Sequence, residues 1–441
     1  MFGGIFPGMI TRPAIISLLA LIVADSASAQ RDRLATEINA AYPAAEALYI
    51  HLHQNPELSL RETATAARLA DELKQAGFEV TTGVGGTGVV AVLRNGAGPT
   101  VMFRTELDGL PVTENTGLPF ASKVKTRDAS GNEVGVMHAC GHDIHMSALV
   151  ATARIMASDR KSWKGTLMLI GQPAEELVAG AASMLADGLF TRFPKPDFAL
   201  ALHDDARWEA GVIGYHAGPI FTNSDALTIT IFGRGGHGAR PETTVDPVVI
   251  AARTVVALQT IVAREISPFD PAVVTVGAIH GGTKHNIIPD EVQLQLSVRS
   301  FTPAVREKLL TAIARVTKAE AAAAGAEKEP TIVRNQSTDA LVNDSALTLR
   351  VSAALIRELG SEQVRDTPPE MASEDFGKFQ AGGVPTLMLR IGAQNKSKYD
   401  AAVKSGTMLP GLHSSQFAPD REPVIKAAIA AELVALRELL R

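Results

Sequence analysis

The chain has 441 residues, 46% of them hydrophobic and 20% charged, with a formal net charge of −5. That length supports a large core divided among more than one domain, and the composition excludes a disordered chain. The mildly acidic balance supplies no broad positive field to gather nucleic acid or an anionic membrane surface, which leaves small-molecule chemistry as the expectation.

The stretch "RPAIISLLALIVADSASAQ" (12–30) sets Arg12 before an apolar run from Ala14 to Ala24 and ends with Ala-Ser-Ala at 27–29. A charged start, a hydrophobic segment and a small-residue cleavage site read as an export signal, and the run falls short of the roughly 20 apolar residues of a membrane span. The mature chain is therefore expected to begin near Gln30, periplasmic or secreted, with no membrane contact after cleavage. In an oxidising compartment a single cysteine, Cys140, excludes an internal disulfide framework. Packing in the core is the plain role for such a cysteine, but its neighbours point elsewhere.

From about residue 60 helix and strand patterns alternate: "ETATAARLADELKQAGF" is helical, "GVVAVLR" and "PTVMFRTEL" are strands, a helix runs from Asp143 to Ala157, and "GTLMLIGQPAEE" is a strand with a polar end. This alternation predicts a mixed, mainly parallel sheet with helices on both faces, its ligands bound at the carboxyl ends of the strands. Near Gly218 the pattern changes. "DALTITIFGRGGHG", "AVVTVGAIHGG" and "EVQLQLSVRS" alternate as half-buried strands, with helices over 246–264 and 303–324, which predicts an inserted α+β unit with helices on one face of an antiparallel sheet. After "EKEP" the first pattern returns with "VPTLMLRIG" and a closing helix over 423–440. The expected division is 1–29 signal peptide, 30–217 and 331–441 catalytic domain, and 218–330 insert.

Five side chains form a candidate metal set: Cys140 and His142 in "ACGH", Glu176 in "QPAEE", His203 in "FALALHDD" and His413 in "GLHSS". Each lies on or near a strand's carboxyl end. Thiolate, imidazole and carboxylate suit zinc, and an imidazole-rich site also admits manganese, cobalt or nickel. Metal binding would lower the thiol's pKa. The adjacent pair Glu175 and Glu176 fits hydrolysis at such a centre, one carboxylate binding and the other free to move a proton.

The motifs "HQNPELSLRE" (53–62), "MHACGHDIHM" (137–146), "GQPAEE" (171–176), "GRGGHGARPE" (233–242), "GGTKHNIIPD" (281–290), "SEDFG" (373–377) and "GLHSS" (411–415) occur in one order. In content and order they resemble the metallopeptidase family of hippurate hydrolases, N-acyl amino acid amidohydrolases and plant auxin-conjugate hydrolases, over essentially all of the mature chain. The resemblance implies a catalytic domain with two divalent metal ions per subunit and an inserted lid through which a homodimer forms. It implies that Cys140 is shared by both metals as a thiolate, where wider relatives use aspartate, and that His142, Glu176, His203 and His413 complete the shells. Glu175 is then the general base; His237 reaches the partner subunit's site to steady the carbonyl oxygen; Asn286 and Arg299 hold the substrate's free carboxylate; Asp108 orients a ligand histidine. Glu106 departs from the aspartate found there in relatives and receives no role. His138, His145, His51 and His53 read as supporting residues, and His285 as a lining of the substrate entrance.

These features imply an exported amidohydrolase acting on N-acyl amino acids, with a carboxypeptidase or dipeptidase as the nearest alternative. A periplasmic binding protein is a more distant one, needing neither Glu175 nor His237, and a redox role for Cys140 is another. The segment "DDARWEAGVIGYHAGPIFTNSD" after His203 lacks the proline-containing stretch of relatives and borders the expected acyl pocket.

Overall fold

A strand covered on both faces needs apolar residues at consecutive positions, and the central strands have them: Val89 to Leu93, Val101 to Phe103, Leu167 to Ile170 and Ala199 to Leu202 are all buried. A computed structural model describes the backbone of residues 13–441 and the side chains of residues 31–441; the export signal expected over 1–29 lies outside the residues whose side chains are described. The eight strands of the large sheet run in the spatial order Glu79–Val84, Gly88–Asn95, Gly165–Gln172, Thr100–Glu106, Phe198–Glu209, Thr386–Gln394, Ile213–Tyr215 and Val364–Asp366. The four from Gly165–Gln172 to Thr386–Gln394 are mutually parallel, with antiparallel pairings on either side of them.

Alternate side chains of these strands feed two cores. Val89, Ala91, Val101, Phe103, Leu167 and Leu200 face the layer of helices Pro13–Gln54, His142–Ser158, Ser345–Leu359 and Arg421–Leu439. Val90, Met102, Met168, Ile170 and Ala201 face the opposite layer, with Met184, Phe376 and Phe379. The expected mainly parallel sheet with helices on both faces is present.

The smaller unit has a four-stranded antiparallel sheet in the order Ala272–Gly281, Glu291–Ser300, Asn223–Phe232, Thr331–Thr338. Leu227, Ile229, Ile231, Leu294, Leu296 and Val298 point to one face, where helices Pro247–Glu265 and Pro303–Ala323 cover them. Both helices start with proline after a capping side chain: Asp246 accepts from the Val248 amide and Thr302 from the Val305 amide. The edges differ from the expected 218–330. Gly218–Phe221 pairs with Leu341–Asn343, beside the large sheet's second core, while Thr331–Thr338 joins the small sheet. That last strand exposes most of its side chains, so no apolar alternation marks it.

Candidate active site

The parallel strands converge on one edge, and the loops leaving it carry the predicted residues. Asp108 follows Thr100–Glu106, Glu175 and Glu176 follow Gly165–Gln172, and His203 stands within Phe198–Glu209. The glutamates sit in a tight loop in which Ala174 (φ 49°) and Val178 (φ 55°) take left-handed conformations, a strain typical of functional loops. Gly141 caps the helix His142–Ser158 with φ 75°, and a Cβ there would fall 2.2 Å from an Asp204 carboxylate oxygen, so only glycine fits between Cys140 and His142. His413, also left-handed (φ 64°), is tied by its amide to the Ala139 carbonyl at 2.7 Å.

All five predicted ligands meet. The donor atoms of Cys140, His142 and His203 lie within 4.8 Å of one another, as do those of Cys140, Glu176 and His413, so two donor sets share the thiol. Cys140 Sγ is 3.5 Å from His203 Nε2, and Glu176 is 3.5 Å from His413 Nε2. His142 Nδ1 donates to the Asp108 carbonyl (2.8 Å) and His203 Nδ1 to the Asp204 carbonyl (2.7 Å), which leaves each Nε2 as a lone-pair donor toward the centre. Glu175 is 3.9 Å from His142 Nε2. These residues fit a pair of divalent cations: His142 Nε2 and Glu176 Oε1 are buried with no hydrogen-bond partner, and thiol, imidazole and carboxylate together form a donor set for a first-row metal.

The electrostatics point the same way. Burial pushes the Cys140 thiol up, with Glu176, Glu175 and Asp204 adding to the effect. Burial also holds Glu175 well above the usual carboxylate range, reinforced by Glu374 and Glu176. Against burial, Asp108 and Glu106 lift His142 to about 9, and Asp204 does the same for His203. Each shift stores protons against surplus negative charge, which divalent cations would neutralise.

The cavity in front of this centre, about 340 Å³, is lined by Cys140, Glu175, Glu176, His203, His413 and Arg299 among others. Arg299 reaches in from the small sheet and donates to the Met371 carbonyl at 2.9 Å. His237 and Asn286 do not line it. They lie on neighbouring segments of the small unit, where the Gly238 amide donates to the Asn286 carbonyl and the His237 side chain is exposed. The segment after His203 does form part of the wall, through Asp204 and Asp205, with Arg390 beside them. Trp208 has the guanidinium of Arg207 5.1 Å from its ring centre and that of Arg390 4.8 Å away.

Behind the centre lies a scaffold in which Asp108, His145, His53 and His138 were expected in supporting roles, while Arg104, Ser59, Glu62 and the acids Glu374 and Asp375 were passed over. Arg104, fully buried, binds Glu106, Glu374 (2.7 Å) and Asp375 (3.2 Å), and Glu106 in turn accepts from His145 Nδ1 at 2.8 Å. Ser59 and the Glu176 amide both donate to Asp108, and Glu62 accepts from the Ala174 amide, so the "PELSLRE" segment braces the glutamate loop. His53 joins Asp143 (2.7 Å) and Glu114 (3.1 Å) and is lifted to about 10 by them against burial. His138 is buried without a partner, and burial lowers it to about 4.

The model of peptidase family M20/M25/M40 matches residues 102–405. A thermostable carboxypeptidase of Saccharolobus solfataricus is 34% identical over 390 residues, covering 88% of this chain and 93% of its own. A hippurate hydrolase of Campylobacter jejuni is 38% identical over 334 residues, covering 74% of this chain and 82% of its own. Among solved structures, a dinuclear metal-binding M20-family peptidase of Bacillus subtilis superposes with a TM-score of 0.72 at 28% identity, covering 90% of this chain and 98% of its own.

Proposed function

Because the chain belongs to peptidase family M20/M25/M40, whose members hydrolyse amides, we propose that it is an exported, metal-dependent amidohydrolase cleaving the amide of N-acyl amino acids. The observation that carries this reading is the pair of donor sets sharing Cys140, with Glu175 beside them and Arg299 across one cavity.

Cys140, His142 and His203 would hold one cation, and Cys140, Glu176 and His413 the other. When bound, such ions supply Lewis acidity for the carbonyl and make water acidic enough to ionise near neutral pH. Glu175 removes a proton from the attacking water as that oxygen bonds to the acyl carbon. It then delivers the proton to the amide nitrogen as the carbon–nitrogen bond breaks, giving a carboxylic acid and a free amino acid. Arg299 presents a guanidinium fork to the substrate's carboxylate, with Asn286 as a second donor. His237 from a second copy of the chain steadies the carbonyl oxygen, since it lies outside its own subunit's cavity. Dimerisation through the small unit gives that contact, and the edge strand Ala272–Gly281 together with exposed Val248, Val249, Val256 and Ile279 supports such an interface.

Dialysis against a chelator is expected to abolish amine release from N-benzoyl and N-acetyl amino acids, and zinc, manganese, cobalt or nickel to restore it; activity indifferent to chelation refutes the metal role. Mixing inactive Glu175→Gln and His237→Ala subunits should recover activity through hybrid dimers carrying one complete site, and no recovery removes the shared-site reading. A second reading is a carboxypeptidase or dipeptidase, in which Asp205 or Glu370 of the cavity wall, each paired with Arg207, would exchange that partner for the ammonium of a peptide. Faster cleavage of dipeptides than of their N-acyl counterparts would select it.

A further inference from the structure

Asp204, the residue after His203, has a side chain that nothing in the mechanism above uses. It is 2% exposed, and neither carboxylate oxygen has a hydrogen-bond partner. Its nearest basic atoms are His203 Nδ1 at 3.3 Å and His145 Nε2 at 3.4 Å; among the described residues no lysine or arginine lies within ion-pair distance. An ionised carboxylate in that position costs several kcal/mol unless positive charge stands close by. It packs against Gly141, between Cys140 and His142, and lines the cavity.

Its geometry repeats that of Asp108. His142 Nδ1 meets the Asp108 carbonyl at 2.8 Å and an Asp108 carboxylate oxygen at 3.4 Å. His203 Nδ1 meets the Asp204 carbonyl at 2.7 Å and an Asp204 carboxylate oxygen at 3.3 Å. The imidazoles of the Cys140, His142, His203 set thus each have an aspartate behind the ring, contributing a carbonyl acceptor and an anionic charge. Asp204 is itself fixed from behind: its amide donates to His145 Nε2 at 2.9 Å, and His145 Nδ1 donates to Glu106, which Arg104 holds. The added length of glutamate at position 106 is used in reaching His145.

We infer that Asp204 is a positioning residue for the cation held by Cys140, His142 and His203: it holds His203 in its Nε2-donor form and adds the negative charge that strengthens this cation's binding, as Asp108 does through His142. The inference rests on the metal-centre reading and concerns one of its two cations. Outer carboxylates of this kind are worth about 10- to 100-fold in metal affinity.

The test is a zinc titration of metal-free protein against a chromophoric chelator, with bound metal counted after gel filtration, for wild type, Asp204→Asn, Asp204→Val and Asp108→Asn. Cobalt loading, read by the thiolate-to-cobalt absorption in the near ultraviolet, reports whether Cys140 still binds, and circular dichroism of the metal-free proteins reports folding. Wild type should bind two ions. Both Asp204 variants should bind one ion as wild type does and the other about 10- to 100-fold more weakly, with the metal-free fold intact. Asp108→Asn gives the reference for an outer aspartate that touches both donor sets, since its carboxylate also accepts from the Glu176 amide, whereas both Asp204 variants should keep the thiolate band. Two ions bound with wild-type affinity in Asp204→Asn and Asp204→Val would overturn the inference while leaving the metal centre standing. Wild type that binds no zinc would overturn the metal reading itself, and this inference with it.

Discussion

The closing helix Arg421–Leu439 carries one acid, Glu432, into the core, where it is 1% exposed and neither oxygen has a hydrogen-bond partner. Burial pushes its carboxyl from the ordinary 4.5 up to about 8. The folded chain therefore favours the neutral acid, and this contribution to stability is complete below pH 4.5 and is lost as pH rises through about 8. At about 1.4 kcal/mol per tenfold change in acidity, the whole span is on the order of 5 kcal/mol. With about 2 cal/mol/K of unfolding entropy per residue over some 410 residues, 1 kcal/mol moves the melting midpoint by about 1 °C. Glu432→Gln keeps the shape of the neutral acid and cannot ionise. Whatever the amide costs in the core is the same at every pH, so the readout is how the difference from wild type changes. Calorimetric melts at pH 5 and pH 8.5 should show the variant gaining about 5 °C relative to wild type on going to the higher pH. A difference that stays constant between the two would mean that Glu432 does not titrate in this range, and the burial argument would fail.

Glu175→Gln should lower kcat by about 10²- to 10⁴-fold with metal content unchanged, measured by steady-state kinetics alongside metal analysis; a loss confined to KM would remove Glu175 from the proton transfers. Arg104→Met leaves Glu106, Glu374 and Asp375 without their shared cation and should destabilise the chain by about 3–5 kcal/mol in urea denaturation, far more than an exposed arginine would. Cys140, buried and the only thiol, should resist thiol reagents in the metal-loaded protein and react only after chelation. Reaction at equal rates with and without metal would instead support a free redox thiol.

The parallel sheet was legible because its strands bury both faces and so read as unbroken apolar runs, and the small unit because Leu227, Ile229 and Ile231 alternate with polar residues. Cys140, His142, Glu176, His203 and His413 stood out because few chemistries want that mixture of residue types at strand ends. What stayed hidden depends on contacts across long sequence separations. Arg104 meets Glu374 and Asp375 some 270 residues away, and no local pattern announces a buried arginine. Glu106 looked like a departure without a consequence until its extra length was seen reaching His145. The strand Thr331–Thr338 escaped because a mostly exposed edge strand has no apolar period.

The central claim is hydrolysis of acyl amino acid amides by metal-activated water. Its most direct test is amine release by metal-loaded protein from a panel of N-benzoyl, N-acetyl and long-chain acyl amino acids and dipeptides, with Glu175→Ala as the blank. Release from the acyl amino acids that disappears in the blank is the predicted result, and the ranking of acyl groups then maps the pocket walled by Asp204, Asp205 and Arg390. No release from any substrate by protein that carries its metal, or equal release from the blank, would contradict the account.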